Sequence, residues 1–236
     1  MYACPLFPYA HTCRKRYKLV EYKSMDIIVL LPVLFFSIVL HEFAHGYAAY
    51  RFGDDTAYML GRLTLNPLKH VDPVGTLAVP AFCYLTGLPM FGWAKPVPVS
   101  VCRLNSPRAD MGKVAFAGPL TNLALAVVCV LLLKGLLMSA SHFSASALRT
   151  GFYVLQYAIT VNVLLAVFNL IPIPPLDGSR IVSALLPAQA AYKYESFFGR
   201  YGMYIVIALI LTGGVRYILM PAVTFVMGLF AKFLML

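Results

Sequence analysis

Charged residues are scarce in this sequence of 236 residues. They make up 12% of the chain, whereas an average soluble domain has about 25%. Hydrophobic residues make up 61%, and the mean hydropathy is +0.79. This composition excludes intrinsic disorder and an ordinary cytosolic enzyme. It predicts a protein that lies mostly within a lipid bilayer, and the length leaves no room for a second large soluble domain.

Acidic residues and cysteine pairs are also few. Asp and Glu total 9 against 19 Lys and Arg, which gives a net charge of +10. The basic residues are spread singly through the loops, which fits the positive-inside bias of membrane proteins, so we expect no nucleic-acid partner. The five cysteines form no CxxC pair, and we interpret them as small apolar residues rather than a redox or zinc framework.

Long uncharged runs define the membrane segments. Three of them reach the ~20 residues that a helix needs to cross ~30 Å of hydrocarbon, and we predict helices at about 26–52, 111–138 and 151–171. Residues 73–91 carry repeated Pro and Gly, which favours a re-entrant segment over a straight helix. Val-x-Val alternation within residues 92–108 predicts a small β-hairpin loop. The predicted fold is an all-α polytopic membrane protein, a transmembrane helix bundle with these two additions.

The chain divides into three regions. Residues 1–25 form a basic tail without the apolar run of a secretory signal, and we interpret it as an extension or a misassigned start. Residues 26–200 form the transmembrane core, and residues 201–236 hold one or two C-terminal transmembrane segments. The sequence allows a homo-oligomer but does not indicate one.

The first predicted helix contains the chemistry, in the motif HEFAH at residues 41–45. His41 and His45 are one turn apart, about 40° around the helix, so their imidazoles can bind one zinc ion from the same side. Glu42 lies beside them, in the position of a general base that takes a proton from the attacking water. Three ionisable groups in an apolar helix are costly in lipid, which favours a functional site over a polar patch that ties helices together.

A zinc hydrolase site needs a third protein ligand. Asp177 is a candidate because it follows a long apolar run and three prolines within residues 172–175, which unwind the helix and let a side chain bend inward. The spacing alone leaves open a second interpretation, in which Asp177 is a helix N-cap. His70, in a polar loop, is a further histidine that can reach the site or serve as an interfacial polar residue.

The motifs HEFAHG and NLIPIPPLDG together resemble the site-2 protease family of zinc intramembrane metalloproteases. The resemblance implies that His41, His45 and Asp177 bind one zinc ion and that Glu42 is the catalytic acid and base. It also implies that Asn169 and Asn122, the latter in a GxxxN-like motif, bind substrate or the oxyanion. Most of residues 26–200 is covered. The chain is similar to the short, compact members that lack a PDZ domain, which leaves its means of substrate selection open.

The proposed ligands constrain the topology. His41 and His45 lie ~22–28 Å along a helix that starts near Asp26, and Asp177 also follows the end of its segment. The two segments must therefore run in the same direction, with an odd number of crossings between them, so residues 73–91 should not cross. Residues 51–113 carry many basic residues, which predicts a cell-membrane protein whose active site opens towards the cytoplasm. The basic tail contradicts that orientation.

These features predict a zinc-dependent endopeptidase that cuts peptide bonds within or near the transmembrane segments of other membrane proteins, in the manner of regulated intramembrane proteolysis. Its partners would be those substrates and the bilayer. Two alternatives are a metal-binding membrane transporter and a catalytically silent membrane scaffold. A transporter should spread ionisable residues along a path and show duplicated halves, and this sequence shows one cluster and no repeat. A silent relative tends to lose the glutamate of the motif.

Overall fold

The computed structural model describes residues 25–87 and 92–235, and those residues are largely helical without any β-strand. Three short helical turns at Pro67–His70, Val101–Arg103 and Ala140–His142 lie between the longer elements. The predicted basic tail, apart from Met25, lies outside the described residues. The α-helices are α1 (Met25–Arg51), α2 (Thr56–Met59), α3 (Val79–Thr86), α4 (Pro107–Met138), α5 (Ala145–Asn169), α6 (Asp177–Leu185), α7 (Ala188–Leu211) and α8 (Gly214–Met235).

Four of these helices contain stretches long and apolar enough to cross a membrane, namely Leu31–Arg51, Pro107–Met138, Ala145–Asn169 and Gly214–Leu234. The prediction of an all-α, multi-pass membrane protein is therefore confirmed. Between α1 and α5, the described residues hold one such helix, α4. One crossing between them lets α1 and α5 run in the same direction, as the ligand argument requires.

Helices α4 and α5 begin earlier than the apolar runs suggested. Helix α4 starts at Pro107 instead of residue 111, with proline at its first position, where the missing N–H costs nothing. Helix α5 starts at Ala145 instead of residue 151, because Ser144 caps it by accepting a hydrogen bond from the backbone N–H of Ala147. Both starts lie among polar residues that an apolar-run criterion leaves out.

Residues 73–91 do not form a membrane-length helix. Pro73–Ala78 form a wide π-helical turn whose N-cap, Asp72, accepts from the backbone N–H groups of Val74 and Gly75. Helix α3 follows directly and ends at Gly87, which has a φ of +71°. The stretch is thus short and broken, as predicted. Nothing in the structure supports its re-entry into the membrane, and residues 88–91 lie outside the described part.

The prediction of a β-hairpin within residues 92–108 is wrong, because none of these residues forms a β-strand. Residues 92–100, which we call the strap, are extended but form no β-strand, and a 3₁₀ turn follows at Val101–Arg103. Pro96 precedes the first of the alternating valines and Pro98 follows it, and both remove N–H groups that a strand ladder needs. The prolines therefore explain why the Val-x-Val pattern gives an extended segment without a strand partner.

The strap is fixed over the C-terminal part of α1 by hydrogen bonds from its remaining N–H groups. Lys95 N donates to the carbonyl of His70 at 2.9 Å, and Ser100 N donates to Asp54 Oδ2 at 2.6 Å. Asp54 is buried, which alone raises its pKa, but hydrogen bonds from Thr56 and Ser100 outweigh burial and hold that pKa below the usual range. Asp54 is therefore a charged anchor for the strap at neutral pH.

The main apolar core lies between α4, α5, α7 and α8, away from the motif. Buried residues from each of these helices meet there, among them Leu133, Val163, Val206 and Val223. Helix α1 packs on α4 and α5. Helix α6 is clamped to the start of α4, because the Arg108 guanidinium donates to the carbonyls of Ser183 and Leu186. This packing carries the first residue of α6 to the face of α1 that holds the motif.

Candidate metal centre

The two motif histidines lie on one face of α1 and are almost entirely enclosed. His41 is 6% exposed and His45 is 8% exposed. Their Nε2 atoms are 3.0 Å apart, and the ring planes are 87° to each other. One helical turn therefore brings two potential ligand atoms to a single point, as the spacing predicted.

Asp177 joins them from a different part of the chain. Its Oδ2 atom lies 3.1 Å from His41 Nε2 and 3.2 Å from His45 Nε2. The N-cap of α6 is Leu176, and Asp177 is the first helical residue, so the structure favours the ligand geometry over the N-cap interpretation. A carboxylate in the first turn also faces the positive end of the helix dipole.

The glycine after Asp177 explains how α6 approaches so closely. A Cβ atom on Gly178 would collide with the carbonyl oxygen of Leu170 and lie 2.6 Å from that of Ile171. Only a residue without a side chain lets the start of α6 pack against the end of α5. The LDG sequence thus combines a ligand with the small residue that lets it reach the site.

Hydrogen bonds at the far side of each ring determine which nitrogen carries the proton. His45 Nδ1 lies 2.8 Å from the carbonyl oxygen of Val114, which can only accept, so Nδ1 is the donor. His41 Nδ1 donates in the same way to Asn122 Oδ1 at 2.5 Å. In the neutral rings, both Nε2 atoms therefore present lone pairs to Asp177. Such outer hydrogen bonds orient histidines that bind metals.

The donor set and its spacing fit a zinc ion. The three ligand atoms form a triangle with sides of 3.0, 3.1 and 3.2 Å. Zinc bonds of 2.0–2.2 Å in a tetrahedron place neighbouring ligand atoms about 3.3–3.6 Å apart, slightly further than here. Two imidazoles and a carboxylate are a donor set of catalytic zinc sites, which keep the fourth position for water. Two lone pairs and a carboxylate so close together repel one another unless a metal ion or a proton lies between them.

Gly118 on α4 supplies the space beside the imidazoles. A Cβ atom at this position would lie 2.5 Å from His45 Nε2 and 2.6 Å from His41 Cε1. Any side chain here would push into the ring atoms that face the centre. The glycine of the GxxxN-like motif is therefore explained by the volume that the centre needs.

Glu42 is half-buried and contacts the strap. Its Oε2 atom accepts a hydrogen bond from the backbone N–H of Val97 at 2.9 Å. Gly46, one turn further along α1, leaves room for this approach, since a Cβ atom there would lie 2.8 Å from Val97 Cγ1. The strap thus passes directly beside the residue that the sequence predicted as general base.

The other predicted site residues occupy different positions. Asn122 is fully buried and bonds His41, and its amide N–H groups go to the Ser37 carbonyl and to Asn162 Oδ1. Oxyanion binding by Asn122 would require one of those bonds to break. Asn169 is half-buried and donates to Leu165 O of its own helix. His70 is fully buried, and its Nε2 lies 2.9 Å from Thr64 O, so it braces its loop away from the three ligands.

Asn162 and Ser37 belong to the surroundings of the centre but were not predicted. Asn162 is 2% exposed on α5, and Ser37 is 3% exposed on α1, one turn before His41. A lone asparagine in an apolar helix is a recognisable signal, because such a group is costly in lipid without a partner. Within residues 25–87 and 92–235, His41, His45 and Asp177 are the one group of three side chains suited to bind a metal.

Comparisons with known proteins identify similar sequences. The family model "Peptidase family M50" matches residues 133–213. The chain is 41% identical over 194 residues to "Putative zinc metalloprotease YwhC" of Bacillus subtilis, covering 81% of this chain and 84% of that protein. It is 35% identical over 159 residues to "Putative zinc metalloprotease Rip2" of Mycolicibacterium smegmatis, covering 67% of this chain and 57% of that protein. No solved structure matches.

Substitution of Gly118 tests the geometry of the centre. Gly118→Ala should reduce the zinc content of the purified chain to well below one ion per molecule, because the added methyl group occupies the space beside the two imidazoles. Gly135→Ala is the matched control, since it lies on the same helix and a Cβ there meets nothing within 4 Å. Zinc is measured by elemental analysis. Equal zinc in both variants would contradict the assigned geometry.

Proposed function

This chain belongs to peptidase family M50, the site-2 protease family, and is a zinc metalloprotease; we propose that it cuts other membrane proteins within or near their transmembrane segments. One observation carries the proposal. His41, His45 and Asp177 converge beside Glu42, and the two histidines lie in a helix that is long and apolar enough to cross a membrane. A site at that position can reach peptide bonds that soluble proteases do not.

The residues have distinct roles in the proposed reaction. His41, His45 and Asp177 hold the zinc ion, which supplies a Lewis acid for the scissile carbonyl and lowers the pKa of the attacking water. Glu42 takes the proton from that water and delivers it to the leaving amine. Val114 and Asn122 keep the two rings in the tautomer that binds a metal. Asn169 has a second amide N–H that can serve as an oxyanion donor.

A helical substrate must unwind before cleavage, because its carbonyls are engaged in the helix. The strap is extended, and its Val97 N–H contacts Glu42 at 2.9 Å, so an extended substrate segment beside the strap lies next to the general base. We therefore infer that an extended substrate segment lies along the strap, where Pro96, Pro98 and the already bonded N–H groups prevent a full strand ladder.

The distribution of charge supports an active site that opens towards the cytoplasm. Residues 51–113 span the connection from α1 to α4 and carry seven Lys or Arg residues, whereas residues 138–150 carry only Arg149. Basic loops remain on the cytoplasmic side. The centre lies in the C-terminal part of α1, and the strap lies beside it. Both are therefore on the basic side.

The alternatives are less well supported. A metal transporter needs a series of polar sites through the membrane, and the described part of the chain has one suitable group of three ligands. A silent scaffold has no need for Glu42 beside an intact ligand set. Both alternatives predict zinc binding without peptide cleavage, so activity separates them from the protease.

Replacement of the general base is the first test of function. Glu42→Gln should keep one zinc ion per chain and lower the cleavage rate of a tagged single-pass membrane substrate by about 10²–10⁴-fold, since the amide cannot take the proton. Asp55→Asn is a control for the same chemical change at a half-exposed carboxylate paired with Arg103. Cleavage by Glu42→Gln at the rate of this control would refute the protease assignment.

Maleimide labelling of a native cysteine tests the orientation of the protein in the membrane. Cys102 is exposed, directly after the strap, and it becomes the sole reporter when the other cysteines are replaced by serine. A membrane-impermeant maleimide should label it only after cells that express the protein are permeabilised. A second reporter, Ser141→Cys in the loop between α4 and α5, should be labelled in intact cells. The reverse pattern would contradict the orientation. The replaced cysteines are Cys4, Cys13, Cys83 and Cys129.

A further inference from the structure

A buried chain of polar side chains leads away from His41 through three helices. Asn122 on α4 contacts the His41 ring, Asn162 on α5 contacts Asn122, and Ser37 on α1 contacts Asn162. Each of these four residues is at most 6% exposed. Polar groups buried this deeply in lipid-embedded helices require a purpose or a partner, and here each of them has its partner within the chain.

The direction of each hydrogen bond in this series of side chains follows from groups that can only accept or have already donated their proton. Asn162 Nδ2 lies 2.9 Å from the Ala158 carbonyl and 3.0 Å from Ser37 Oγ. The Ala158 carbonyl can only accept, so the NH₂ group of Asn162 must face it. Ser37 Oγ donates its own proton to the Val33 carbonyl at 2.8 Å and is left as an acceptor. Asn162 Oδ1 therefore has to face Asn122.

The same reasoning determines the orientation of the Asn122 amide and then the tautomer of His41. Asn122 Nδ2 donates to Asn162 Oδ1 at 2.9 Å and to the Ser37 carbonyl at 3.3 Å. Asn122 Oδ1 must then face His41 Nδ1, which has to carry the proton. The lone pair of His41 is left on Nε2, the atom directed at Asp177. A backbone carbonyl on α5 thus determines the tautomer of His41 on α1.

We propose that Asn162 and Ser37 are positioning residues for the metal centre, which hold the Asn122 amide in the orientation that presents His41 Nε2 to zinc. The inference rests on the proposed function, because it assumes that His41 is a zinc ligand. Without Asn162, only the longer bond to the Ser37 carbonyl at 3.3 Å still favours this orientation, so the flipped amide, with its NH₂ group against His41 Nδ1, becomes more populated. The ring then carries its proton on Nε2, and that tautomer cannot bind the ion.

The test compares zinc affinity of the full-length chain in detergent for the wild type and Asn162→Leu. Leucine has the same branched shape as asparagine and is larger, but it neither donates nor accepts a hydrogen bond. The loss of an outer partner weakens metal sites by about 10–100-fold, and we expect about tenfold here, measured by chelator competition. Thr160→Val is the matched control on α5, since Thr160 bonds only Gln156 O of its own helix among the described contacts.

A spectroscopic signature separates positioning from a merely structural role. The chain has 5 histidines, so ¹⁵N-histidine NMR of the zinc-free protein resolves the tautomer of His41. The wild type should show the proton on Nδ1, and Asn162→Leu should show a mixture with Nε2. Unchanged His41 signals in Asn162→Leu would overturn the proposal, and so would zinc affinity within about twofold of the wild type.

Repeating the Asn162→Leu substitution in an Asn122→Asp background makes the test specific for the orientation of residue 122. Asn122→Asp offers His41 an acceptor whichever way the group is turned, so the orientation by Asn162 is no longer needed. Asn162→Leu should therefore weaken zinc binding in the wild-type background and have little effect when combined with Asn122→Asp. An equal loss in both backgrounds would indicate general damage to packing and overturn the proposal.

Two further outcomes have a defined meaning. If Asn162→Leu does not fold, Ser37→Ala removes one acceptor of Asn162 at the cost of a single oxygen atom. A smaller shift of the His41 tautomer in the same direction is then expected, because the Ala158 carbonyl still accepts from Asn162, and the complete absence of a shift contradicts the proposal. If the wild type itself binds no zinc, the proposed function fails. If the wild type binds zinc and Asn162→Leu binds it equally well, only the positioning role fails.

Discussion

The rest of the structure depends on one constraint. The atoms His41 Nε2, His45 Nε2 and Asp177 Oδ2 lie within about 3 Å of one another, enclosed in the membrane part of the protein. In a medium of low dielectric, such an arrangement is stabilised by a metal ion or a proton between the three atoms, and its donor set fits zinc. The surrounding structure serves that requirement. Helix α4 provides Gly118 as space and the Val114 carbonyl as a proton acceptor, and α6 brings Asp177 after a turn rich in proline.

The parts of the site that are local in sequence could be predicted. His41 and His45 are one helical turn apart, so the period of the α-helix alone joins them. Asp177 could not be assigned in that way, because its place depends on how α6 packs on α4 and α5. A motif resemblance supplied the ligand role, and the structure then supplied the geometry. Asn162 gave only a weak signal, since it is one of several polar residues in the largely apolar α5, and its partners on two other helices are a tertiary property.

The strap shows why an alternating pattern of valines is not sufficient to predict a strand. Alternating valines indicate a strand, but Pro96 and Pro98 remove the donors that pairing would need. The remaining N–H groups bond to Glu42, to Asp54 and to the His70 carbonyl instead. The breaker-rich stretch before it forms a π-helical turn and the short helix α3, and its non-crossing stays a prediction. The starts of α4 and α5 were misplaced, since a first-turn proline at Pro107 and a cap at Ser144 lie outside the apolar runs.

X-ray absorption at the zinc edge of the purified full-length protein tests the central claim most directly. Our account predicts one zinc ion per chain, with two imidazole nitrogens and at least one oxygen as ligands at about 2.0–2.2 Å. The same measurement on Asp177→Ala should show that the site has lost most of its metal. A metal-free wild type, a sulfur ligand, or full zinc occupancy without Asp177 would contradict the account.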